Sequence, residues 1–161
     1  MSRQKVGVNL GIAHTVAEAV LGQIHEDASG NHYMYLQADG AVTGGTLYVY
    51  DHASGQIEDQ ADVTNYPADA DSMPICISPV TLADNEYVWA FVGPGQATCL
   101  TDATGVATAN DICYVSATAG CVSSGVTAAL LKGVSVDTAI TGGASGTIRA
   151  ANRMFSEDLP S

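Results

Sequence analysis

The chain has 161 residues, 47% of them hydrophobic and only 14% charged, with a formal net charge of −12 at pH 7. That length and composition fit one globular domain with a real core and exclude intrinsic disorder. So acidic a body repels nucleic acid and anionic membrane, and neither is expected as a partner.

Residues 1–20 read as an arm. Arg3 and Lys5 open it, and no further Lys or Arg follows until Lys132; Arg149 and Arg153 complete the set. Every carboxylate except Asp137, Glu157 and Asp158 lies in that cation-free stretch. The spacing predicts an extended run over 1–14, since Gly7 and Gly11 weaken a helix there. Residues 15–24 read either as a short helix or as a continuation of the arm. Thr15 and Glu18 have capping-box spacing, and Val16, Val20 and Ile24 share one helical face. Asn9, His14 and Glu18 interrupt the apolar stretch, so no signal peptide is expected. No run approaches the about 18 apolar residues of a membrane helix. The chain is expected to be made in the cytoplasm with this start retained.

From His32 the pattern becomes that of strands. HYMYLQA alternates, Asp39-Gly40 and Gly44-Gly45 mark turns, and TLYVYD is β-branched and aromatic. Residues 58–74 are polar and acidic with Pro67 and Pro74, and read as a long exposed loop. MPICISPVTL reads as a buried strand ended by Pro79. In YVWAFV, Tyr87, Trp89 and Phe91 share one face and Val88, Ala90 and Val92 the other, which predicts a central strand buried on both sides. Gly93-Pro94-Gly95 reads as a sharp turn after which QATCL returns. ICYVSATAGCVSS gives a strand, a Gly-centred turn and a short strand. One or two further strands follow around a Gly-rich turn at 142–146. The expectation is an all-β fold, a compact antiparallel β-barrel or sandwich of about eight to ten short strands. The arm spans 1–20, the domain 21–155 and a tail 156–161. No internal repeat and no second domain are legible.

Cys76, Cys99, Cys113 and Cys121 lack the C-x-x-C spacing of zinc or redox sites. They are expected to be buried, reduced, small hydrophobes, with a Cys113–Cys121 clip as the alternative. Ser29-Gly30-Asn31-His32 lacks the G-x-S-x-G context of a nucleophile elbow. His14, His25, His32 and His52 lack metal-ligand spacing and read as surface or interface residues. Asp59, Asp62, Asp69 and Asp71 are the best cation candidate, although a solvated acidic loop is the simpler reading. Gly93-Pro94-Gly95 and Gly142-Gly143 are not phosphate loops, because no Gly-Lys-Ser/Thr follows. Trp89 and Phe91 read as core, not as a glycan platform. No catalytic pair, metal site or cofactor is expected.

Three stretches, YMYLQADGAVTGGTL at 33–47, NEYVWAFVGPGQATCL at 85–100 and ICYVSATAGCV at 112–122, carry a resemblance to the small head-decoration, or cement, proteins of tailed bacteriophages. Tyr87, Trp89, Val92, Gly93 and Ala97 occupy a Y-x-W-x-x-V-x-G-x-A segment, with Pro94-Gly95 displaced into the turn. Ser116, Thr118, Ala119 and Gly120 occupy a second turn, and Gly133-Val134 and a Gly-rich hairpin complete a pattern covering residues 21–150. The cysteines and the acidic 58–71 loop fall outside that pattern. The resemblance implies a non-enzymatic β-rich protein on the outer surface of an expanded capsid, often a trimer, with the major capsid protein and its own copies as partners. It places the protein in the virion, assembled in the host cytoplasm. Arg3, Lys5, Val8, Leu10, Ile12, Arg149, Arg153 and Phe155 are the expected contacts. The alternatives are a head-fibre base or tail-associated part, or a glycan- or host-binding β-sandwich module assisted by Ca²⁺ at the 58–71 loop.

Overall fold

The computed structural model describes residues 8–60, 73–106, 108–116, 118, 120–124 and 130–157. Among these residues there are strands and no helix. The strands are β1 (Ile24–Glu26), β2 (His32–Ala38), β3 (Leu47–Asp51), β4 (Gln56–Gln60), β5 (Met73–Ile77), β6 (Tyr87–Phe91), β7 (Gly95–Leu100), β8 (Ile112–Val115), β9 (Val122–Ser123), β10 (Leu130–Val136), β11 (Ser145–Ala150) and β12 (Phe155–Glu157).

The first half closes on itself. β2 pairs antiparallel with β6, β6 meets β5 at Ile77↔Phe91, β5 pairs with β3, and β3 pairs with β4. β4 then returns to β2 in parallel, Gln37 opposite Gln56 and Ala38 opposite Ile57. The result is a five-stranded barrel with β1 added along β2. Period-two alternation sends Met34, Leu36, Ala38, Val88 and Ala90 inward, where they meet Tyr48, Tyr50, Ile57 and Cys76.

The second half repeats that circuit. β7 pairs with β11, β11 with β10, β10 with β8 and β8 with β9, all antiparallel. The end of β7 returns to β9 through one parallel bridge, Thr101↔Val122. The residue after each return makes the same bond: Asp39 N–H donates to Ile57 C=O at 3.0 Å, and Asp102 N–H to Val122 C=O at 3.1 Å. In each half two loops cross through a doubly bonded pair. Val42 and Leu82 exchange bonds of 3.0 and 2.8 Å; Val106 and Ile140 exchange bonds of 2.9 and 2.8 Å. All four side chains are buried. A glycine stands two residues beyond one partner of each crossing, because the other loop passes too close for a side chain. A Cβ on Gly44 would sit 2.8 Å from the Val80 carbonyl carbon, and one on Gly142 would run into the Ala103 carbonyl.

The halves share a core. Leu47, Val49, Ile75, Ile77 and Phe91, on the outer side of the first barrel, pack with Cys99, Val106, Cys113, Leu131, Ile148 and Met154 of the second. Each such side chain contributes roughly 1.5–3 kcal/mol when fully buried. β12 joins the halves along the backbone, pairing with β5 at Phe155↔Pro74 and with β10 at Leu130↔Glu157.

The all-β expectation holds, and β6 is indeed central, between β2 and β5 and buried from Val88 onward. Several expectations change. There are more than the eight to ten strands anticipated. The pairing is not purely antiparallel, because each circuit needs an odd fifth strand that returns in parallel. An internal repeat exists in topology. Gly93-Pro94-Gly95 does not make a hairpin: both edges of β6 are already occupied, so β7 passes to the second sheet. Residues 58–60 and 73–74 belong to β4 and β5, not to a loop. The cysteines are free and buried, as expected, and the Cys113–Cys121 clip is not formed.

Candidate functional site

Two outer faces occupy matching places in the two circuits, and the candidate surfaces lie on them. Counting back from the parallel return, Tyr35 stands three residues before Ala38, as Thr98 does before Thr101. Tyr35 is opposite Trp89, and Thr98 is opposite Thr147.

On the first barrel this face is an aromatic ladder, with Tyr33 opposite Phe91, Tyr35 opposite Trp89 and Gln37 opposite Tyr87. The segment 8–24 lies across it. His14 and Tyr87 exchange backbone bonds of 2.8 Å each, the Glu18 N–H donates to the Tyr35 hydroxyl oxygen at 2.9 Å, and Gly22 N–H donates to Tyr35 C=O at 2.9 Å. His14 is buried edge-on to Tyr35 with its Nδ1 3.0 Å from Glu18, and His25 packs edge-on to Trp89. Burial raises the Tyr35 hydroxyl above its ordinary pKa. The Glu18 N–H bond opposes that shift only in part.

Of the two readings of 15–24, the short helix is absent and the segment continues as non-helical chain. The segment's backbone groups bond across to β2 and β6, and the supposed helical face points outward. Val16 is 73% exposed, Val20 75%, Ile12 43% and Ile24 38%. Among the expected contacts, Val8 and Leu10 are half-buried and Ile12 is exposed, while Arg3 and Lys5 lie outside the described residues. In the sequence Val16, Val20 and Ile24 stand out as one face of a possible helix and Ile12 as an expected contact; the structure leaves all four exposed.

On the second barrel the matching face is hydrophilic. It carries Gln96 and Thr98 from β7 and Ser145, Thr147 and Arg149 from β11, all exposed. Beside it runs a groove of about 600 Å³ between the barrels, and none of its lining residues is charged. Asn31 links the walls: its Oδ1 accepts from Gln96 N–H at 2.8 Å and its Nδ2 donates to Asp27 at 2.8 Å. Gly95 permits that approach, because a Cβ there would meet Asn31. Arg149, an expected contact, donates to Asp137 at 2.9 Å, and the Gln96 side chain donates to the same oxygen at 2.8 Å. Arg153 is half-buried, and its charge reaches Tyr50, whose hydroxyl burial nevertheless pushes up to about 12. Phe155 opens β12, so the stretch expected to face outward is, through Glu157, part of the sheet.

Sequence reasoning passed over Asp102, which organises the loop after β7. Its carboxylate accepts from Thr104 N–H at 2.9 Å, Gly105 N–H at 3.1 Å and Ser116 Oγ at 2.6 Å. Burial pushes this carboxyl up, but the bonds from Ser116 and Thr104 outweigh it and hold the group below its ordinary value. The signal was Asp-x-Thr-Gly, an Asx-turn signature.

Burial raises all the thiols, that of Cys113 to about 12. In Ser29-Gly30-Asn31-His32, Ser29 N–H donates to Asp27 at 2.8 Å while His32 faces Glu26 at 3.6 Å, so the residues close a turn. Trp89 is buried beneath the segment 8–24, as core. Among the described residues no group of three metal-ligating side chains occurs. Asp62, Asp69 and Asp71 lie outside the described residues, and Asp59 is in β4. Neither a protein-family model nor a curated protein sequence matches the chain.

Proposed function

We propose that the chain is a virion structural protein that decorates and cements the outer surface of a phage head, with the major capsid protein and its own copies, as a trimer, for partners. The observation that carries this reading is the exposed row Ile12, Val16, Val20 and Ile24. Exposed large apolar side chains gathered on one short segment mark a surface made to be covered. The row follows directly on a cationic start: Arg3 and Lys5 precede it, and the first carboxylate of the chain is Glu18. A positive lead and an apolar stripe on an otherwise acidic body suit docking onto another protein. The acidic remainder stays clear of nucleic acid, and apolar burial between copies has to offset its repulsion. The contribution is mechanical, burial of surface across neighbouring capsid subunits, with no chemical step.

The test uses expanded heads stripped of decoration. The full chain is expected to bind them in sedimentation, and the Val16→Asp/Val20→Asp variant to bind at least about tenfold more weakly, a loss near 1.4 kcal/mol. Its melting should be unchanged, since both side chains already face solvent. Removing residues 1–7 probes Arg3 and Lys5 without touching His14. A full chain that ignores the heads, or a variant that binds them equally well, overturns the proposal.

A further inference from the structure

The groove between the barrels has a chemistry of its own, independent of head decoration. Its apolar lining comes from Ile77 and Phe91, both buried, and from Tyr33, Pro79 and Ala97. One wall is the hydroxyl ladder Thr98, Thr147 and Ser145, which both donates and accepts. The backbone adds a further pair of groups. Gln96 N–H is taken by Asn31 and Leu100 N–H by Gly45 C=O at 2.8 Å, both on the edge of β7 away from β11. Thr101 N–H, of opposite parity, turns toward Ala144 beside β11. The alternation of an antiparallel ladder therefore points the Thr98 amide and carbonyl into the groove, between two bonds already made.

The kinds of ligand can be separated on these features. An anion meets the field of a body with net charge −12. A cation finds no carboxylate, because no lining residue is charged. A purely apolar molecule would strip water from the Thr and Ser hydroxyls without replacing their bonds, at a cost of roughly 1–3 kcal/mol for each buried group. An added β-strand needs a run of free edge, and on this edge of β7 Asn31 and Gly45 already take the Gln96 and Leu100 N–H groups. What remains is a neutral molecule with an apolar face and a rim of groups that donate and accept together. A sugar ring presents C–H faces and a hydroxyl rim in that way. The volume lies within the range of pockets that enclose small ligands.

We infer that this groove binds a neutral saccharide, the ring faces resting on Tyr33 and Pro79 and the hydroxyls bonding Thr98, Thr147, Ser145 and the Thr98 backbone. A second hollow shares Asn31 and Gln96 and extends toward Ser29 and Arg149, which gives a longer glycan a continuation. There the Arg149 charge is matched by Asp137.

The experiment is saturation-transfer NMR and calorimetry on the full chain, with maltotriose, cellotriose and chitotriose as probes, sialyllactose as an anionic control, and a peptide of residues 1–12. At least one neutral trisaccharide is expected to bind with a Kd of about 1 mM or tighter. The Thr98→Val/Thr147→Val variant should weaken it at least about fivefold with melting unchanged, and Ser145→Ala gives a second, milder probe of the same wall. Three results overturn the inference: no neutral probe bound, binding indifferent to these substitutions, or stronger competition by the 1–12 peptide, which would make the groove a seat for another copy's arm. A chain that fails on heads yet binds saccharide separates this inference from the decoration reading.

Discussion

The two barrels share one wiring and differ in what they do with the same face. On the first, the pair Tyr35 and Trp89 is buried beneath the chain's own segment 8–24. On the second, the matching pair Thr98 and Thr147 is open to the groove. A strand pairing thus constrains the backbone and leaves the outward residues free to specialise: one face has become an extension of the core and the other a surface. Aromatic rings require a cover, and the cover in turn displays the apolar row Val16 and Val20. Hydroxyls require none.

This contrast predicts unequal sensitivities, best read by urea unfolding. Trp89→Ala should cost about 3–5 kcal/mol, because the ring is buried against Tyr35 and His25. A cost below about 1 kcal/mol would mean that the segment 8–24 is not seated on the ladder. Each crossing also depends on a glycine, on opposite partners in the two halves. Gly142→Ala and Gly44→Ala each press a methyl group into a crossing backbone, and each is expected to cost about 3 kcal/mol. If one were tolerated, the loops of that crossing would have room to part.

Tyr35→Phe removes only the acceptor for Glu18 N–H. About 1 kcal/mol should be lost, with faster proteolysis within 8–24 and unchanged protection of β7 and β11. Acid should act on the second barrel through Asp102, whose folded pKa is depressed. The stability it contributes is present above its unfolded value, near 3.9, and is lost as pH falls through the lower folded value. In Asp102→Asn the difference in melting between about pH 6 and pH 3 should therefore shrink. The smallest effect belongs to Thr147→Val. At the place equivalent to Trp89 it should change stability by no more than about 0.5 kcal/mol, which makes it a clean probe of the groove.

Local alternation made the strands legible: HYMYLQA and YVWAF announce both their existence and their two faces. The closed circuits were not legible, since the parallel return of Ala38 to Ile57 or of Thr101 to Val122 carries no mark in either partner's residue type. The repeat was hidden for the reason that makes it informative. Tyr35 and Trp89 share no chemistry with Thr98 and Thr147, so matching positions do not match as letters. At 15–24 the apolar spacing was real, but the helical reading lost to backbone bonds offered by β2 and β6, whose free groups no local pattern reveals. The groove was invisible for a related reason, because Asn31, Tyr33, Thr98 and Thr147 meet only once both barrels are formed.

β12 sets an order of events during synthesis. It lies after both barrels in the chain, yet it pairs with β5 of one and β10 of the other. Until Phe155 has left the ribosome, the stretch of β5 at Met73 and Pro74 waits as an unpaired edge, the kind on which nascent chains associate wrongly. The Ile75 N–H, which the Met154 carbonyl takes at 3.0 Å in the finished fold, is among the groups that wait there. The first barrel can thus emerge and close early, and the seam between the halves is sewn last.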